Sequence, residues 1–170
     1  MVVADQVLEQ GRRVGIAGRS IRRSVGRLAP LLIGFAVLGC STITLISRYD
    51  EVTDQSVTAF GKKMDSFLAS LERNTGKQEA SYDANVSFYD GARVDIRAMQ
   101  VRAKAIPKNE ITQEQLALLM SSVEDLEKLH RIKANGQIPS DEIAHLRTAF
   151  QTSCGAVLKL ELAKKRGEGK

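Results

Sequence analysis

Two Glu-x-x-His sequences, Glu127-Lys128-Leu129-His130 and Glu142-Ile143-Ala144-His145, carry the residue types best suited to chemistry in this chain. A carboxylate and an imidazole three residues apart share a helix face and can ligate one metal ion. Two such pairs, with a glutamate from each of two further helices, make a di-iron carboxylate centre. Facing decides whether the set can assemble. At 100° per residue His130 falls at the centre of the Leu116, Leu119, Val123 and Leu126 stripe, whereas His145 lies roughly 130° from the centre of its own stripe. Asp54, Asp65, Glu72, Asp83, Asp90 and Asp95 all fall off the inward faces of the preceding segments. A di-iron core therefore lacks its ligands, and Glu127 and His130 are the metal candidates that remain. The plainer expectation for His130 is a hydrogen-bonded or hydrated polar residue at the end of the core; the rival reading is an acid-responsive bundle end, since an imidazole titrates near neutrality.

The two cysteines, Cys40 and Cys154, are too few for a disulfide framework. Cys154 sits near the edge of a helical apolar stripe with no base at helical spacing beside it, so it is expected as a small core residue rather than a nucleophile. Cys40 is placed differently. It ends the uncharged run Leu28-Ala-Pro-Leu-Leu-Ile-Gly-Phe-Ala-Val-Leu38-Gly39, and Arg19, Arg22, Arg23 and Arg27 precede that run. A basic segment, an apolar stretch and a small residue are the components of an export signal. Val37-Leu38-Gly39-Cys40 resembles the lipobox of bacterial lipoproteins, with Leu38 bulkier than the alanine or serine preferred there. The resemblance implies lipid attachment at Cys40, which becomes the first residue of the mature chain.

The rival reading is an uncleaved anchor, since Leu28 to Ile46 has no charge and is about long enough to span a bilayer. Arginines before that stretch place the N-terminus in the cytoplasm on either reading, with residues 50–170 on the extracytoplasmic side of a cell envelope. Ser41 after the cysteine favours the outer membrane over the inner, by analogy with enteric sorting. Ile21-Arg22-Arg23 only superficially resembles a twin-arginine signal, so general secretion is expected.

The chain has 170 residues and a net charge of +5, with six arginines and two carboxylates in residues 1–39. The basic balance thus belongs mostly to the export segment, and nucleic acid is not an expected partner. Lys164-Lys165-Arg166 is expected as a solvated helix end. With no tryptophan and 5% aromatic residues, neither a sugar platform nor a base-stacking surface is expected.

The expected domain layout is an export signal over 1–39 (a basic n-region over 1–27, then an apolar region over 28–39), a lipidated tether over 40–48, a helical bundle over 49–166 and a tail over 167–170. Apolar residues recur at helical spacing through the third of these. Val57, Phe60, Met64, Phe67, Leu68 and Leu71 predict a helix over 49–73, ended by Asn74-Thr75-Gly76. Tyr82, Val86, Tyr89, Ala92, Ile96, Met99 and Ala103 predict a second over 80–105, stopped near Pro107. Thr112 with Gln115 reads as a capping box opening a third over 113–134, and Asn135-Gly136 as its stop. Pro139-Ser140-Asp141-Glu142 opens a fourth over 141–166, lined by Ile143, Leu146, Phe150, Val157 and Leu160. Short connections make sequential helices antiparallel neighbours, so the expected fold class is all-α: an up-down-up-down four-helix bundle preceded by a signal or anchor helix. Phe88 falls about 80° off its stripe; beside Val94 it is expected as an ordinary exposed apolar residue rather than a partner patch.

Arg48-Tyr-Asp-Glu-Val-Thr-Asp-Gln-Ser-Val-Thr-Ala-Phe-Gly-Lys-Lys63 followed by Phe67-Leu68, and the ending Leu158-Lys-Leu-Glu-Leu-Ala-Lys-Lys165, resemble a group of small helical bacterial lipoproteins of uncharacterised function. That resemblance covers most of residues 37–166 and implies no activity. The expected function is therefore non-enzymatic: an anchored scaffold or adaptor with a membrane and another envelope protein as partners, no cofactor and no small-molecule substrate. Two alternatives stand beside it. One is a single-pass anchored subunit of a secretion or phage-derived assembly; the other is a metal or redox bundle using Glu127, His130 and Cys154.

Overall fold

A computed structural model describes residues 46–168. These residues form an all-α bundle of four helices: α1 (Glu51–Arg73), α2 (Val86–Ala105), α3 (Glu110–Ile132) and α4 (Ser140–Glu168). Among the described residues there is no strand, and no helix is long and apolar enough to cross a membrane. The expected export signal, with Val37, Leu38, Gly39 and Cys40, lies outside the described residues.

Each helix packs on its neighbours in chain order, and α4 closes the ring against α1. The connections alternate between two ends. One end, the base, gathers the start of α1, the α2–α3 turn and the end of α4, as the Ser47 Oγ to Asn109 Oδ1 and Lys164 Nζ to Asn109 Oδ1 hydrogen bonds record. The other end, the tip, gathers the α1–α2 and α3–α4 connections. There Gln137 ties the two together, accepting from Gly76 N at 3.0 Å and donating to the Lys77 carbonyl at 2.9 Å.

The core is the set of stripes the periodicity predicts, with departures that have physical causes. All six expected α1 residues are buried, and Tyr89, Ala92, Ile96, Met99 and Ala103 line α2. The second helix starts at Val86, not near residue 80. Residues 78–85 are instead two short 3-10 turns, Gln78–Ala80 and Asp83–Asn85. Their polar groups have partners elsewhere: Tyr82 N donates to the Gly136 carbonyl at 2.7 Å, and Asn85 Nδ2 donates to the carbonyls of Glu79 and Ser81. Gly136, at φ +59°, is needed here, since a Cβ would come within 3.3 Å of Tyr82.

Helix α1 opens on Asp50, whose carboxylate accepts from Thr53 N at 3.1 Å and Thr53 Oγ1 at 2.6 Å. That satisfies a backbone donor which the first helical turn leaves orphaned. Helix α3 does not use the expected cap. It begins at Glu110, and Thr112 is buried in its first turn. Phe88 is also not simply exposed: its ring stacks on Phe67 at 3.5 Å between centroids, while Val94 is 61% exposed.

Candidate functional site

Two buried polar clusters, one at each end of the bundle, are where the molecule departs from a plain apolar core. The base cluster was not expected. Continuing the α4 inward line past Cys154 and Val157 by steps of four and three brings Glu161 and Lys164 to the interior, 0% and 4% exposed. Lys164 is therefore no solvated helix end. Its ammonium donates to Glu161 Oε1 at 2.6 Å, to Asn109 Oδ1 at 2.8 Å and to Thr112 Oγ1 at 2.8 Å. That uses all three of its protons.

Glu161 is equally well served. Its Oε1 also accepts from Thr112 Oγ1 at 3.1 Å, and its Oε2 accepts from the backbone N–H of Asp50 at 3.1 Å. Asn109 completes the cluster by donating to the Ala103 carbonyl and accepting from Ser47 Oγ at 2.8 Å. A buried ion pair is tolerable only when extra hydrogen bonds serve the remaining polar atoms, and here every ammonium proton and both carboxylate oxygens have a partner. Thr112 serves this pair instead of capping its helix, and Asn109 does the same.

The cluster holds the segment by which the chain enters the bundle. Ser47 N donates to the Lys108 carbonyl at 2.7 Å, and Tyr49 N donates to Glu168 Oε1 at 2.7 Å. Arg102 forks onto both Asp50 carboxylate oxygens at 2.6 and 2.7 Å. This guanidinium is the chief cause that holds the Asp50 carboxyl down at about 2, against an ordinary value of 3.8. Residues 47–50 are thus fastened to α2, the α2–α3 turn and α4 at once, although 47 and 48 were expected within a tether.

At the tip, His130 is completely buried. One ring nitrogen, Nε2, lies 2.9 Å from the Ala80 carbonyl, and Nδ1 lies 2.7 Å from Tyr89 Oη. A carbonyl can only accept, so Nε2 carries the proton and Nδ1 accepts from the tyrosine: a neutral imidazole with both nitrogens used. Burial pushes its pKa below 6.5, against smaller opposing effects of the backbone at Ala80 and Gly136. Burial likewise pushes the Tyr89 hydroxyl up.

The expected metal candidates are therefore engaged in other bonds. Glu127 pairs with Arg93 and accepts from Tyr82 Oη at 3.2 Å, and His145 is exposed on α4. Among the described residues, no group of three His, Cys, Asp or Glu side chains is placed to hold a metal ion. Cys154 is buried against Gly61, 3.8 Å from where that glycine's Cβ would stand, and burial raises its thiol to about 11. Such a thiol is a poor nucleophile at neutral pH.

Of the residues singled out by sequence, the fold brings Tyr82, Tyr89, Glu127 and His130 together at the tip, leaves His145 exposed on α4, and buries Cys154 against α1. Glu161, Asn109 and Asp50 gave no chemical signal, and Lys164 was read only as part of a solvated basic helix end. The one available clue was that Glu161 and Lys164 continue the α4 stripe. No protein-family model, curated protein or solved structure matches the chain.

Proposed function

We propose that this protein is a lipid-anchored component of a bacterial cell envelope whose bundle serves as a non-enzymatic scaffold or adaptor for another envelope protein. The observation that carries the reading is the fastening of residues 47–50 to α2, the α2–α3 turn and α4, through the buried cluster and the Asp50–Arg102 pair. A rigid junction is what a module needs if it is to be presented from an anchor rather than to drift on a loose tether. Val37-Leu38-Gly39-Cys40, a few residues upstream, supplies the anchor in this reading. One acyl chain holds a membrane only marginally, whereas the two or three of a bacterial lipoprotein hold it stably. Ser41 favours the outer membrane.

Replacing the anchor thiol tests this directly. The Cys40→Ser chain should lose incorporation of labelled fatty acid and accumulate as a larger precursor. Normal processing of that variant would refute lipid attachment. The uncharged stretch from Leu28 to Ile46 supports a second reading, an uncleaved single-pass anchor of a larger assembly. It requires that mass spectrometry find residues 1–39 retained. The scaffold role is tested by crosslinking and affinity purification from membranes, which should return one stoichiometric envelope protein.

A further inference from the structure

The base of the bundle combines exposed apolar side chains with an excess of positive charge. Ile46 is 38% exposed and Ile111 48%, and both border a small cleft shared with Leu160 and Lys108. Arg48, Lys104, Lys108, Lys165 and Arg166 are exposed in the terminal segments 46–51, 104–110 and 165–168. Asp50, in the same segments, is committed to Arg102. The other carboxylates there are Glu51, Glu110 and Glu168, so with Asp50 set against Arg102 the segments hold five cations against three carboxylates, Lys165 lying over the Tyr49 ring. At the tip, segments 72–83 and 131–142 carry four cations against five carboxylates. Of the two ends of the described bundle, the base is the one with an excess of cations.

We propose that the base is an interfacial face that rests on an anionic lipid headgroup layer, its cations meeting phosphate oxygens while Ile46 and Ile111 enter the headgroup boundary. The proposal rests on the membrane-anchored reading above and adds an orientation to it. Two observations choose this occupant. The first is charge complementarity, since juxtamembrane Lys and Arg are drawn to anionic lipid over about a Debye length. The second is where the described chain begins. The seven residues from Ser41 to Ser47 extend at most roughly 25 Å, so an anchor at Cys40 keeps the base, and not the tip, near the headgroups. Because the buried cluster fastens residues 47–50, contact there orients the whole bundle, base down and tip outward.

Hydrogen exchange of the full chain in nanodiscs tests it. In discs with one third phosphatidylglycerol, amides of residues 46–50 and 104–110 should exchange at least about fivefold more slowly than in pure phosphatidylcholine discs, the factor that one basic residue near an anionic surface supplies. Amides at the tip should not differ. The Arg48→Gln/Lys104→Gln/Arg166→Gln chain should lose the difference while keeping its thermal unfolding midpoint. Equal exchange at the base in both lipids, or protection at the tip instead, overturns the proposal without touching lipid attachment. If the chain does not enter discs, the anchored reading fails on its own. Added phosphatidylglycerol vesicles then decide the surface: base protection keeps the lipid-binding face, and its absence overturns it.

Discussion

The two ends of the bundle solve the same problem, a polar group inside a small core, in opposite ways. The base buries opposite charges and surrounds them with donors and acceptors, so that all three protons of Lys164 and both carboxylate oxygens of Glu161 have partners. The tip buries a neutral imidazole with two partners and no counter-ion. Each end is vulnerable in its own way. The base is costly to unbalance, because removing one member strands a charge. The tip is costly to protonate, because Nδ1 of His130 would lose its role as acceptor for Tyr89.

The largest effect should therefore come from the base. Glu161→Ala leaves the Lys164 ammonium buried without its counter-charge and should destabilise the bundle by about 3–5 kcal/mol in denaturant unfolding. A loss under about 1 kcal/mol would mean that water reaches Lys164 and the two ends are alike.

His130→Ala should follow at about 2–4 kcal/mol, from a cavity plus the orphaned Ala80 carbonyl and Tyr89 hydroxyl. Tyr89→Phe removes one partner only and should cost about 1–3 kcal/mol, measured the same way.

Acid separates the ends further. The His130 pKa is lowered in the folded state, so the unfolded chain takes up that proton first. The stabilisation is complete above about pH 6.5 and is lost as pH falls below it. Asp50 has a lowered carboxyl pKa, so its contribution, about 1–2 kcal/mol once the half-exposed Arg102 is discounted, persists above 3.8 and is lost as pH falls towards about 2. Between pH 6.5 and 4, exchange should rise at the tip amide of Tyr82 while the base amide of Ser47 stays protected. Parallel loss at both ends would break the comparison. The smallest effect marks the reference: Val94→Ser, on the exposed back of α2, should change stability by less than about 0.5 kcal/mol.

Most of the fold was legible because it depends on a local property, the 3.6-residue repeat of apolar side chains. The α1 stripe and the Leu116, Leu119, Val123 and Leu126 stripe of α3 are buried as their spacing predicts. The misreadings share one cause. Tyr82 and Val86 keep the helical spacing of Tyr89, yet residues 78–85 form 3-10 turns because α3 and the following turn supply partners for Ala80 and Tyr82. Thr112 and Gln115 form the pattern of a capping box, and Lys164 to Arg166 that of a solvated helix end. In each case the group that overrules the pattern is distant in sequence: Glu161 lies 49 residues from Thr112. Phe88 was misplaced for the same reason, since its angle on α2 says nothing of Phe67 waiting on α1.

By itself the sequence determined four amphipathic helices, their antiparallel order and the inward position of His130, because periodicity and turn chemistry act within a few residues. It also carries Val37-Leu38-Gly39-Cys40, the lipobox-like run on which the proposed function depends. Only the tertiary structure decided that Glu161 and Lys164 face inward as a satisfied ion pair, that both nitrogens of His130 are occupied, and that residues 47–50 are fastened to the bundle. The physical reason is desolvation: what a buried charge or imidazole becomes is set by the partners that surround it, and those come from other helices.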